Sequence, residues 1–200
     1  MFAVLVLLAF ILVLQTNILT IQLSVGAIVL ASIYPFMKRY TNLPQVVLGA
    51  AFAWAIPMAF AAAGNTLPKG VWMLFTGAVI WTVAYDTFYA MIDREDDIKA
   101  GVKSTAVILG DMDRVMCAVL QAMFVIALLL AGFQLKLGGV FFVSVLLASA
   151  LLAYQQLLIK DRKPEHIFRA FLNNNWVGLV IFLGIALDKG LKAEILQILP

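Results

Sequence analysis

Apolar residues fall into seven runs along this chain, at about 1–14, 18–33, 45–63, 70–90, 114–133, 138–159 and 168–187. Gly, Pro, Asn or charged residues break each run from the next. None of the runs alternates apolar with polar positions, as the strands of a membrane barrel do. Backbone N–H and C=O groups find no water in hydrocarbon, so continuous apolar runs cross it as helices. The pattern predicts an all-α polytopic membrane bundle of about seven transmembrane helices, forming one domain over residues 1–200. The first run is short: as a helix it reaches about 21 Å against a hydrocarbon core of about 30 Å. It also lacks a basic flank and a small-residue cleavage site, so it reads as a helix without its beginning rather than a signal peptide.

Composition agrees with a bilayer as solvent. Hydrophobic residues make up 64% of the chain and charged residues 12%, and mean hydropathy is +1.02. Soluble domains are nearer half apolar and a quarter charged. The net charge of +3 does not indicate a nucleic-acid partner, because the basic residues form no face or recognition motif. They mark topology instead. With alternating helices, one set of loops holds Lys38, Arg39, Arg94, Lys99, Lys103, Arg114, Lys160, Arg162, Lys163 and Arg169; the other holds Lys69, Lys136, Lys189 and Lys192. The richer set is expected in the cytoplasm. Cys117 is the single cysteine and reads as a buried small hydrophobe.

Charge also picks out the candidate chemistry. Of 11 acidic residues, five lie in YDTFYAMIDREDDIKAGVKST: Asp86, Asp93, Glu95, Asp96 and Asp97. On a helix turning about 100° per residue, Asp86, Asp93 and Asp97 fall within roughly 20° of one line. Asp93 and Asp97 form D-x-x-x-D, two oxygen donors one turn apart, which suits Mg²⁺ with water and phosphate in its other positions. Asp86 lies two turns deeper, where an ionisable group usually has a function. Lys99 and Lys103 follow the acids, and YPFMKRYTNLP brings Tyr34, Lys38 and Arg39 to the same face, so a diphosphate site is the natural reading. The plainer readings are a solvated charge run and an aromatic belt with positive anchors. Asn173, Asn174 and Asn175 suit capping or helix packing, with Asn174 also a candidate to reach the substrate. His166 reads as solvated surface, the four tryptophans as packing or belt residues, and LGAAFAWA as a close-packing stripe.

YPFMKRYTNLPQVVLGAAFAWAIPMAFAA, YDTFYAMIDREDDIKAGVKSTAVILG and FLNNNWVGLV together resemble the UbiA superfamily of intramembrane aromatic prenyltransferases. The likeness runs along essentially the whole chain and is closest to the bacterial branch that acts on 4-hydroxybenzoate in ubiquinone biosynthesis. It implies nine transmembrane helices around a cavity, with two Asp-rich motifs holding Mg²⁺ and the diphosphate of a polyprenyl donor. Asp93 and Asp97 match the second motif, Tyr34 and Lys38 match a Y-x-x-x-K loop motif with Arg39 beside it, and Lys103 follows the second motif. The implied catalytic set is Asp93, Asp97, Lys38, Arg39 and Tyr34, with Lys103, Asp86, Lys99 and Asn174 binding substrate. The first motif, N-D-x-x-D-x-x-x-D, occurs nowhere in these residues. The seven runs are therefore expected to correspond to the family's helices three to nine, in a chain with little activity alone. The resemblance also implies a bacterial inner-membrane location with the site facing the cytoplasm, and no obligate protein partner. A non-catalytic truncated fragment, a different aromatic acceptor and, more distantly, a small transporter are the competing readings.

Overall fold

The computed structural model describes residues 2–41, 43–101 and 105–198. The described residues form helices and no strand: α1 (Phe2–Val13), α2 (Ile18–Ile33), α3 (Met37–Tyr40), α4 (Pro44–Ala53), α5 (Ala55–Gly64), α6 (Lys69–Ala100), α7 (Thr105–Leu109), α8 (Asp113–Gln134), α9 (Gly139–Leu158) and α10 (Pro164–Ile198). Short 3₁₀ turns fill Tyr34–Phe36, Gly110–Met112 and Ile159–Asp161. Among the described residues, six segments are long and apolar enough to cross a membrane: Ile18–Phe36, Pro44–Gly64, Lys69–Lys99, Thr105–Gln134, Gly139–Asp161 and Pro164–Gly190. The first apolar run is only the shorter helix Val4–Val13. The chain is thus a multi-pass helical membrane bundle, with six full-length spans and one short apolar helix among the described residues, where the runs predicted about seven.

One span is broken for a local reason. Pro57 carries no N–H, and its ring crowds the carbonyl four residues earlier, so the helix interrupts at Trp54 between α4 and α5. The Trp54 indole N–H then donates to the Leu23 carbonyl at 2.8 Å, tying the break to α2.

α6 is the central element, packed against α8, α4 and α10. The core lies in two layers along it. Near the acidic end, Phe88, Met91, Ala106, Cys117, Ile159 and Ile167 are buried together. Further into the bundle, Phe124, Leu128, Phe141, Val145, Leu152 and Val177 form the second layer. Apolar packing alone discriminates poorly between helix pairings in lipid, so close backbone approach and polar contacts do more of that work. Gly49 of α4 supplies the first: a Cβ there would lie 3.0 Å from the Val79 carbonyl oxygen of α6. A glutamine chain supplies the second. Gln156 donates to Gln121 at 2.8 Å, Gln121 to Gln155 at 2.8 Å, and Gln155 to Asn173 at 3.1 Å, joining α8, α9 and α10.

Two outcomes follow for stability in detergent. Gly49→Val forces α4 off α6 and lowers stability by about 1–3 kcal/mol, read as a lower thermal midpoint. Gln155→Leu removes the middle of the chain and costs about 1–2 kcal/mol; an unchanged midpoint would show that the network holds nothing.

Candidate functional site

α6 is long enough to cross the hydrocarbon and continue beyond it, and this positions the acidic residues. Twenty residues from Lys69 fill the core, so the turns carrying Asp93 and Asp97 emerge at one face. The helix ends at Gly101, whose φ of +65° gives the left-handed cap that glycine adopts without strain. Its N–H bonds back to the carbonyls of Asp97 and Ile98.

Within this turn the predicted residues separate. Asp93 and Asp97 are half-buried, whereas Glu95, Asp96 and Lys99 are exposed. The pair sits one turn apart, about 6 Å along the axis. Asp86, two turns deeper and also half-buried, lies within electrostatic reach of Tyr34 and Tyr85. The Tyr34–Phe36 turn itself packs against α2, α3 and α4. Lys99 points elsewhere: it lies about 160° around the helix from Asp97, with its ammonium 3.4 Å from Asp96. Arg39 is exposed on α3, and Lys38 shares that short helix, its side chain outside the described set. Lys103 lies outside the described residues. Asn174 is buried and engaged: it accepts from the Trp81 indole N–H at 2.8 Å and donates to the carbonyls of Ala170 and Phe171.

The donor set restricts which metal fits. Asp93 and Asp97 offer hard oxygen ligands only, and no group of three or more metal-ligating side chains occurs among the described residues. Zinc favours nitrogen and sulfur, and calcium takes six to eight oxygens. Two carboxylates fit Mg²⁺, which keeps waters and shares its shell with substrate phosphates.

Deeper in the bundle lies an apolar cavity of about 450 Å³ between α5, α6, α8 and α10, with Phe60, Trp81, Phe124, Gly178 and Phe182 in its wall. Trp81 stacks on Phe124 with centroids 5.3 Å apart and meets Tyr85 edge-on. Gly178 makes room for this ring, because a Cβ there would come within 3.1 Å of it. Trp81 is 12 residues from Asp93, about 18 Å along α6, and rotated roughly 120° from it. The cavity and the acidic line thus share a helix but not a face, and Tyr85 and Asp86 lie between them.

Sequence reading overlooked two groups here. Gln121 and Gln155 sit in apolar runs and were not singled out. Asp113, which opens α8, is 1% exposed and ion-paired with Arg94 and Arg162, two arginines read only as topology signals. These pairings join residues 19 and 49 positions apart, so spacing carries no trace of them.

Comparison with known proteins places this architecture. A 4-hydroxybenzoate octaprenyltransferase of Saccharophagus degradans is 63% identical over 94% of this chain and 63% of its own length. Proteins of the same name from Hahella chejuensis and Marinobacter nauticus are 57% and 54% identical over 94% of the chain. The chain thus spans 63–64% of the length of these relatives. Among solved structures, the apo structure of a UbiA homolog from Aeropyrum pernix K1 superposes with a TM-score of 0.82, covering 94% of this chain and 70% of that one at 23% identity. A structure described as digeranylgeranylglyceryl phosphate synthase gives 0.73 at 19% identity, covering 93% and 67%. At these identities the structures show the fold. The profile of the UbiA prenyltransferase family matches residues 1–182, including the helix that carries Asp93 and Asp97, and the chain belongs to that family.

Proposed function

We propose that this chain is part of a 4-hydroxybenzoate polyprenyltransferase of the bacterial inner membrane, working at its cytoplasmic face. The enzyme moves a polyprenyl group from its diphosphate to the ring carbon ortho to the hydroxyl of 4-hydroxybenzoate. The observation that carries this reading is the half-buried Asp93–Asp97 pair where α6 leaves the hydrocarbon, in a chain 63% identical to a relative of that name. The ten-to-four distribution of basic residues supports the cytoplasmic orientation.

Two carboxylates one turn apart repel a diphosphate unless a cation lies between them. Asp93 and Asp97 would hold Mg²⁺, which supplies Lewis-acid neutralisation of the leaving group. Lys38, Arg39 and Lys103 are assigned to the remaining phosphate oxygens, a task suited to multidentate cationic donors. Tyr34, within electrostatic reach of Asp86, is assigned to the inner end of this region. The prenyl C1–O bond breaks with its electron pair leaving on pyrophosphate, the ortho carbon bonds to C1, and that carbon then sheds its proton. The apolar cavity suits the tail, since a hydrocarbon chain needs no hydrogen-bond partner there. Its aromatic wall gives that chain an apolar surface to lie against. Asn174 acts on this wall indirectly, by fixing the Trp81 ring.

The test is Mg²⁺-dependent transfer from octaprenyl diphosphate to 4-hydroxybenzoate in membranes of a host lacking its own enzyme. The 200-residue chain is assayed alone and joined to the unmatched remainder of the Saccharophagus degradans relative. Product is expected from the joined protein, with EDTA stopping it and Mg²⁺ restoring it. Asp93→Ala and Asp97→Ala each lower the rate by about 100-fold or more. Transfer that survives both EDTA and the double substitution would overturn the assignment. A second outcome concerns the cavity. Gly178→Leu pushes into the space beside Trp81 and raises KM for the octaprenyl donor by about tenfold, while leaving a geranyl donor nearly unaffected. Equal effects on both donors would remove the tail from this cavity.

A further inference from the structure

We propose that Asp113 is a positioning residue for the Asp93–Asp97 pair, acting through Arg94. The inference rests on the site proposed above and concerns how that site is held. Its starting point is a carboxylate with almost no access to solvent and three elements gathered around it. Asp113 accepts from Arg162 at 2.8 Å and 3.2 Å, from Arg94 at 3.4 Å, and from the Arg114 backbone N–H at 2.6 Å. Arg94 belongs to the end of α6, Asp113 to the start of α8, and Arg162 to the turn between α9 and α10. Arg162 also donates to the Asp111 carbonyl at 2.8 Å. Gly110 has a φ of +53°, and a Cβ on it would lie 3.5 Å from the Arg94 guanidinium.

Arg94 directly follows Asp93, so fixing its guanidinium fixes the rotation of the turn that presents both carboxylates. Little else restrains that turn toward solvent: Glu95, Asp96, Ile98 and Lys99 are all exposed. A buried ion pair adds little net stability compared with apolar packing; its better-attested role is to specify geometry. A helix end that must present two oxygens to one cation requires such specification, and groups behind metal ligands tune affinity strongly.

The alternative use of these arginines is a second anion site. A cleft of about 420 Å³ lies against them, but Glu95, Asp96 and Asp113 line it as well. Three carboxylates line it, and both guanidinium groups are already engaged by Asp113, which disfavours phosphate. Arg94 therefore belongs to the clamp.

The experiment uses the detergent-solubilised 200-residue chain, with Mn²⁺ as the probe. Its binding is followed by electron paramagnetic resonance in the presence of inorganic pyrophosphate, and hydrogen exchange is measured over residues 93–100. Asp113→Asn is expected to weaken Mn²⁺ binding by about tenfold or more and to accelerate exchange in this segment by at least about fivefold. Because the variant leaves two arginines short of a partner, Asp113→Asn combined with Arg94→Gln is measured alongside. It is expected to recover thermal stability without recovering affinity. Mn²⁺ affinity within about twofold of wild type in Asp113→Asn, or unaltered exchange at 93–100, overturns the inference. The double variant Asp93→Ala, Asp97→Ala is the blank. If it binds Mn²⁺ as wild type does, the site reading falls and this inference with it. That failure is distinguishable from failure of the clamp alone, in which wild-type binding still depends on Asp93 and Asp97.

Discussion

Hydrocarbon offers no partner to a polar group, and every buried N–H, C=O, amide or carboxylate in this protein must find one within the chain. This constraint makes the spans helical and decides where charge can go. Among the described residues, no buried side-chain nitrogen or oxygen lacks a hydrogen-bond partner. Thr87 donates to the Val83 carbonyl, Trp81 to Asn174, and the glutamines to one another. Two of the described carboxylates are buried, at opposite ends of the bundle. Asp113 is matched by arginines, and Asp188 accepts twice from the Gly138 N–H at the start of α9, 2.8 Å from each oxygen.

The same constraint explains why one long helix organises the site. α6 contains 32 residues, about 48 Å at 1.5 Å per residue, against a hydrocarbon core of about 30 Å. Its surplus emerges at one face, and the acidic residues occupy that surplus. The deeper part of the same helix contributes Trp81 to the cavity wall. A charged headgroup and an apolar tail can therefore be addressed by a single rigid element, with Asp86 and Tyr85 at the changeover. The rotation of roughly 120° between Trp81 and Asp93 means that a ligand spanning both bends around α6 rather than lying straight along it.

Apolar run length revealed most of this fold, because the bilayer penalises polar interruptions and so marks each span in one dimension. What it revealed less well were helix ends and breaks. The run at 70–90 stops where apolarity stops, yet α6 continues to Ala100, since a solvated helix needs only its own backbone bonds and a cap. The run at 45–63 conceals the break at Trp54, although Pro57 signals it. At the candidate site, D-x-x-x-D was legible because a spacing of four is a property of one helix. Lys99 was legible as a charge, but its direction away from Asp97 depends on how α6 rotates in the bundle. Asp113, Arg94 and Arg162 were not legible as a unit, because their association is tertiary.

That limit bears on how a site assembled from short loops can be precise. The connection between α6 and α8 contains one five-residue helix, α7, too short to hold itself in place. It is fixed from both sides instead. Thr105, its first residue, donates to the buried Gln45 of α4 at 2.6 Å, and Asp113 just beyond it is gripped by Arg94 and Arg162. The first anchor ties the connection to the helix that follows the Tyr34–Lys38 segment. The second ties it to the turn that carries Asp93. Both tethers are polar contacts buried at a membrane boundary, where losing one partner leaves the other unsatisfied at about 1–3 kcal/mol. A connection held this way resists small displacements, and any ligand that bridges α3 and the end of α6 acts on the same two anchors.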